Sequence, residues 1–144
     1  MDFREQFERW LKDAFRAPVP PEVQAYSFNL YEPANEKDVK FGVEVVGARR
    51  FDPEDSQWAT DEIWAPKIRR LNIPQSFSGD EGQDCLAKLR TLLSDALEKG
   101  DAASAFLKAR RGVGLGFREG DREILWSDPQ PPANGRTTMK MRRR

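Results

Sequence analysis

A leucine-rich stripe between residues 78 and 100 constrains the fold of this chain more than any other feature. Its apolar members recur at helical spacing and are Leu86, Leu89, Leu92, Leu93, Ala96 and Leu97. This spacing predicts an amphipathic helix with one buried face. Ser78 and Glu81 have the spacing of a capping box at its start, and Gly100 marks its end. Any fold must therefore place an apolar layer against this helix.

Two further helices are predicted on either side of this stripe. Apolar residues from Phe3 to Phe15 also recur at helical spacing, which predicts an amphipathic helix over about residues 2 to 16, ended by Pro18. Asp101 stands where it can cap a short helix that follows Gly100. The chain therefore carries two or three helices.

Four short segments are predicted to be strands, and apolar residues alternate with other residues in the first two of them. Residues 26–30 and 41–45 are separated by turn-forming residues, and "GVGLGF" and "REILW" are separated by "REGD", so each pair predicts a hairpin. The sequence thus predicts one α+β domain over residues 1–133. Its sheet is expected to be mainly antiparallel, with about four strands in two hairpins packed against the helices.

The glycines of "GVGLGF" leave one face of a predicted strand bare. Val113, Leu115 and Phe117 should point to one side of the sheet and the three glycines to the other. A dinucleotide-binding loop would need a helix directly after the glycines, whereas another strand is predicted here. A helix, a loop or a partner can lie against the bare face, and we expect a helix of the same domain there.

The absence of histidine excludes several classes of function. All 144 residues include no His and one Cys, Cys85, so a structural zinc site of Cys and His ligands cannot form. A serine or cysteine nucleophile would lack its commonest base, and Cys85 is expected to be a small buried apolar residue. We therefore predict no enzymatic activity, no catalytic residues, no metal site and no cofactor.

The chain is expected to reside in the cytoplasm. No apolar run approaches the roughly 18 residues that a membrane-spanning helix needs. The start, "MDFREQ", lacks the basic and then apolar regions of a signal peptide. We accordingly predict no membrane partner.

Zero net charge conceals a basic tail on an acidic body. Residues 1–135 contain 19 basic and 24 acidic side chains, whereas the last nine residues contain five basic side chains and no acidic one. Those bases are Arg136, Lys140, Arg142, Arg143 and Arg144. We predict that residues 134–144 form a disordered basic tail, which offers the one route for nucleic-acid contact. A nucleic-acid-associated accessory protein is therefore an alternative function.

An acidic segment with two tryptophans, "FDPEDSQWATDEIW", fits neither a helix nor a strand. Its carboxylates and tryptophans are Asp52, Glu54, Asp55, Asp61 and Glu62, with Trp58 and Trp64. The spacing does not match a calcium loop, and no Glu-x-Lys strand pattern of a nuclease follows, so a carboxylate-based metal enzyme is only the third hypothesis. A capped turn anchored by aromatics accounts for the tryptophans. The acids favour contact with a cationic protein partner.

Three segments together resemble a known class of proteins. "YSFNLYE", "GVEVVGARRFDPEDSQWATDEIW" and "GVGLGFREGDREILW" are similar to small bacterial cytoplasmic immunity proteins, which are encoded beside polymorphic or secretion-delivered toxins. The resemblance covers about residues 23–126. It implies a non-enzymatic inhibitor that binds one cognate toxin, and the acidic body would suit a cationic toxin. The seven residues of the acidic segment named above are then the predicted partner-binding residues.

Overall fold

A mixed sheet organises the part of the chain that the structure describes, residues 2–34, 37–55 and 57–128 of a computed structural model. Its six strands are β1 (Ala25–Tyr31), β2 (Val39–Ala48), β3 (Glu62–Trp64), β4 (Arg70–Pro74), β5 (Gly112–Phe117) and β6 (Glu123–Ser127). The strand order is β3-β2-β1-β5-β6, and β4 pairs with β2 beside β3. The predicted domain end at 133 and the predicted tail 134–144 lie outside the described residues.

Four α-helices lie within the described ranges, where two or three were predicted: α1 (Phe3–Ala14) before the first strand, and α2 (Gln75–Ser78), α3 (Gly82–Glu98) and α4 (Ala102–Leu107) between β4 and β5. A capping box starts α1, because the Asp2 carboxylate accepts from the backbone N–H of Glu5 and the Glu5 carboxylate accepts from that of Asp2. Asp101 caps α4 as predicted, by accepting from the N–H of Ser104. Gly100 has φ +79 after α3, a conformation that glycine adopts without strain.

The predicted capping box of α3 is wrong. Glu81 is the N-cap but makes no side-chain cap hydrogen bond, and Ser78 ends the separate helix α2. The Ser78 hydroxyl instead donates to the carbonyl of Gly79. Gly79 has φ +74, and this conformation interrupts the helical backbone between α2 and α3. The spacing of Ser78 and Glu81 is therefore coincidental.

Both predicted hairpins are confirmed, but the sheet is larger than expected. β1 pairs antiparallel with β2, and β5 pairs antiparallel with β6. The hairpins join through a parallel pairing of β1 with β5, from Ala25 opposite Gly112 to Leu30 opposite Phe117. The expected count of about four strands was low because β3 and β4 are short edge strands, and Ile73 is the one fully buried residue in the two.

The two faces of the sheet have different coverings. α1, α3 and α4 pack on the face that carries Tyr26, Phe28, Val45 and Leu115 and enclose the main core. The opposite face carries a minor core of Ala25, Ala48, Phe51, Trp58 and Ala59, with Ile124 packed against it. No helix among the described residues is long and apolar enough to span a membrane.

Candidate functional site

The bare strand face predicted from "GVGLGF" is covered by the acidic segment. The rings of Phe51 and Trp58 meet edge to face, with centroids 5.1 Å apart. A Cβ at Gly112 would lie 2.4 Å from the Phe51 ring, and one at Gly114 would lie 2.7 Å from the Trp58 ring. The covering element is thus a loop with the 3-10 helix Trp58–Thr60, not the packed helix that we expected. Glycine is required here because these rings occupy the space of a side chain.

Two aspartates fix the backbone of the acidic segment. The Asp52 carboxylate accepts from the N–H of Glu54, and the Asp55 carboxylate accepts from the N–H of Gln57, each at 2.9 Å. Such local bonds are typical of Asx turns. The N–H of Gln57, followed by the Arg50 guanidinium, holds the pKa of Asp55 below its ordinary value. This part of the segment is therefore a capped turn, as the sequence suggested.

Arginines lie beside three of the five carboxylates. Asp55 pairs with Arg50 at 2.8 Å. Asp61 pairs with Arg49 at 3.6 Å, and Glu62 pairs with Arg69 at 2.9 Å. The three carboxylates remain partly exposed. Their arginine partners offset locally the mutual repulsion that is expected from five neighbouring acids. The exposed Glu54 carboxylate makes no ion pair with the residues that the structure describes.

The two tryptophans are on opposite faces of the sheet. Trp58 is 1% exposed and lies in the minor core, so its side chain offers no surface to a partner. Trp64 is half-buried on the helix face and stacks on Phe15 at 6.1 Å, and Phe15 stacks on the exposed Phe106 at 5.7 Å. The predicted partner-binding residues therefore do not form one patch. Their carboxylates line the loop and the start of β3, whereas Trp64 faces away from the minor core.

A cluster of arginines beside the minor core was not anticipated from the sequence. Arg69, Arg70, Arg118 and Arg122 line a cavity of about 330 Å³ together with Asn29, Glu44 and Glu62, and we name this cavity the arginine groove. Two of its arginines come from the start of β4, and the other two from the turn between β5 and β6. They converge on the face of the sheet that the helices leave open.

Glu44 is the centre of the arginine groove. It is 4% exposed, and its carboxylate lies 3.0 Å from Arg118, 3.5 Å from Arg70 and 3.7 Å from Arg69. Burial raises its pKa, but the Asn29 amide and the arginines outweigh that effect, so the pKa lies below its ordinary value. The buried carboxylate is therefore ionised at neutral pH and holds the arginines in place.

A chain of hydrogen bonds connects Arg122 to this carboxylate. Arg122 donates to the Ser27 hydroxyl at 3.0 Å, and Ser27 donates to the side-chain oxygen Oδ1 of Asn29 at 2.7 Å. The Asn29 side-chain amide then donates to the Glu44 carboxylate at 3.0 Å. Ser27 and Asn29 alternate with apolar residues of β1, which indicated polar positions but not their partners. The signal in the sequence was Glu44 itself, a charge within the otherwise apolar "FGVEVVGA".

Residues 2–34, 37–55 and 57–128 contain no group of three or more Cys, Asp or Glu side chains that could hold a metal ion. Cys85 is buried, and burial raises the pKa of its thiol to about 12. Its thiol is therefore protonated at neutral pH, as befits an apolar core residue.

Comparisons with protein-family models, with curated proteins and with solved structures found no match to this chain.

Proposed function

We propose that this chain is a non-enzymatic binding protein of the immunity type, which neutralises a cognate bacterial toxin in the cytoplasm by direct contact. The proposal is supported by the resemblance of residues 23–126 to such proteins and by the accessible acidic segment. It names a protein partner, needs no cofactor and uses Asp52, Glu54, Asp55, Asp61 and Glu62, with Trp64 as the accessible tryptophan.

One observation carries the proposal: the acidic segment is anchored while its carboxylates stay accessible. The Trp58 ring packs on β5 at Gly114 and so anchors the segment to the sheet, and the turns at Asp52 and Asp55 fix its backbone. A surface held in this way loses little conformational entropy when a partner binds. The carboxylates can then attract a cationic surface and accelerate its encounter with the chain.

The neighbouring arginines limit how strongly the carboxylates can contribute. Arg49 and Arg50 already neutralise part of the charge of Asp61 and Asp55. A cationic partner must therefore share or displace these ion pairs, which are exposed and weak. We accordingly place the effect of the acids mainly on the association rate and its salt dependence.

The proposal predicts that a toxin-domain gene lies immediately upstream of the gene for this chain, and the test uses the protein that this gene encodes. Co-expression should protect cells from that protein, and the purified pair should bind directly. In E54Q/D55N/D61N/E62Q the association rate at low salt should fall about tenfold, and its dependence on salt should weaken. Stopped-flow or surface-based kinetics at two salt concentrations measures both quantities.

A matched variant controls for loss of net charge. In E8Q/D13N/D95N/E98Q the same number of acids is removed from α1 and α3, and three of them pair with bases as the acids of the segment do. This variant should bind much faster than the first one. Equal association rates for the two variants would show that only net charge matters, and failure of the neighbouring toxin to bind would overturn the proposal.

A further inference from the structure

The arginine groove carries more positive charge than its own carboxylates neutralise. Four guanidinium groups line it, and Glu44 and Glu62 are the acids among its lining residues, which leaves an excess of two positive charges. Arg122 donates its hydrogen bonds to neutral oxygens, the Ser27 hydroxyl and three backbone carbonyls. The charge of Arg122 therefore has no carboxylate in direct contact within the described residues.

The arginines of the groove also have N–H donors beyond those that its carboxylates use. The Nε–H of Arg69 is buried and meets none among the described residues, and a buried donor without an acceptor is costly. Arg70 and Arg118 each contact Glu44 through one nitrogen, although a guanidinium group has five N–H donors. Most of their donors can thus serve a bound group that brings oxygen atoms.

The arginines are held in position before any ligand arrives. Glu44 fixes three of them from the floor of the groove. The guanidinium carbons of Arg118 and Arg70 lie 4.6 Å and 5.6 Å from the centroid of the Tyr31 ring, which restricts their side chains further. Such an arrangement lowers the entropy that binding would otherwise cost.

From this geometry we infer that the arginine groove binds a phosphate dianion, either free phosphate or the phosphate of a small monoester. A phosphate offers about two negative charges and three acceptor oxygens, and arginine forks match such oxygens in pairs. This negative charge opposes the excess in the groove, and the phosphate oxygens can accept from the arginines of β4 and of the β5–β6 turn. This site shares Glu62, the partner of Arg69, with the acidic segment, but phosphate binding does not depend on the proposed toxin partner.

Titration of the full chain with inorganic phosphate and with glycerol phosphate tests the site. Calorimetry or amide chemical shifts can follow binding in a chloride buffer. The ionic strength is kept constant, so that non-specific attraction of phosphate to the basic residues near the end of the chain is the same at every point of the titration. Phosphate should bind R118Q about tenfold more weakly than it binds the parent, because a charge-assisted contact is lost. R70Q should also weaken binding.

Matched arginines outside the groove provide the controls. The side chains of Arg4 and Arg118 are both 44% exposed, and each lies 3.0 Å from a carboxylate, so R4Q is the control for R118Q. Arg49, 3.6 Å from Asp61, is the control for Arg70. Both controls should bind phosphate within about twofold of the parent.

Equal phosphate affinities of R118Q and R4Q would overturn the inference. So would the absence of binding by either small phosphate, including the case in which a DNA oligonucleotide alone binds. If only inorganic phosphate binds, and R118Q and R70Q weaken it, the site stands as one for the free ion.

Discussion

At the scale of single residues, Trp58 explains two sequence features that looked unrelated. The glycines of β5 leave a bare strip of backbone, and the Trp58 ring lies on that strip at Gly114. The sequence predicted both that the strip is covered and that at least one tryptophan anchors the acidic segment. It could not join the two predictions, because residues 58 and 114 are far apart in the chain.

Trp58 and Trp64 should differ in what they contribute to stability. Trp58→Ala is expected to reduce the free energy of unfolding by about 3–5 kcal/mol, since it empties the centre of the minor core. Trp64→Ala should cost less, because this side chain is only half-buried. Urea unfolding of both variants measures the difference. A smaller loss for Trp58→Ala than for Trp64→Ala would show that the minor core contributes little.

At the scale of elements, the long and periodic parts of the chain were predictable and the edge strands were not. α1 and α3 have apolar stripes several turns long, β1 alternates clearly, and turn-forming residues separate the strands of each hairpin. β4, "RLNIP", buries Ile73 and leaves its other residues at least partly exposed, so local sequence carries little signal for it. The parallel pairing of β1 with β5 depends on contacts distant in sequence, which no local pattern reveals.

The arginine groove was missed for the same reason. Two of its arginines lie at the start of β4 and two in the turn between β5 and β6, and only the sheet topology brings them to Glu44. The acidic segment was recognised because its residues are adjacent in sequence. Its ion pairs with Arg49, Arg50 and Arg69 were not predicted, because arginines on a surface carry no pairing signal.

The glycines of β5 that face the acidic segment should tolerate a side chain less well than other glycines of the chain. Gly114→Ala should reduce the free energy of unfolding by about 1–3 kcal/mol, because the new methyl group would lie 2.7 Å from the packed Trp58 ring. Gly120→Ala is the control, since its nearest neighbour would lie at an ordinary 3.7 Å and its φ is not positive. Thermal or urea unfolding of the pair decides the matter. Equal stability of the two variants would contradict the tight packing of Trp58 on β5.

At the scale of the whole molecule, the two faces of the sheet differ in how much charge they carry. One face is closed by the main core, whereas the other is divided between the minor core and the arginine groove. Glu44 joins β2 to the start of β4 and to the end of β5 through its arginines. The ionised state of one buried carboxylate therefore bears on how several strands hold together.

Acid should weaken the fold partly through Glu44. Its folded-state pKa lies below the ordinary value of 4.5, so the ionised carboxylate stabilises the native state above that pH. This stabilisation is lost as the pH falls through the lowered pKa, when Glu44 takes up a proton and its ion pairs break. The melting temperature of the parent should thus decline as the pH falls from about 5 through the lowered pKa of Glu44.

Glu44→Gln isolates this contribution because the amide keeps the shape of the side chain but cannot ionise. The variant should melt at a lower temperature than the parent at pH 7, since it leaves three arginines without their shared carboxylate. Its melting temperature should then fall less steeply with acid, so the two curves converge at low pH. Some slope should remain, because the pKa of Asp55 is also lowered.

Glu98→Gln, at an exposed position of α3, should follow the parent. Parallel curves for Glu44→Gln and the parent would show that the arginines do not stabilise the ionised form of Glu44, and the charge network assigned to the open face of the sheet would have to be rejected.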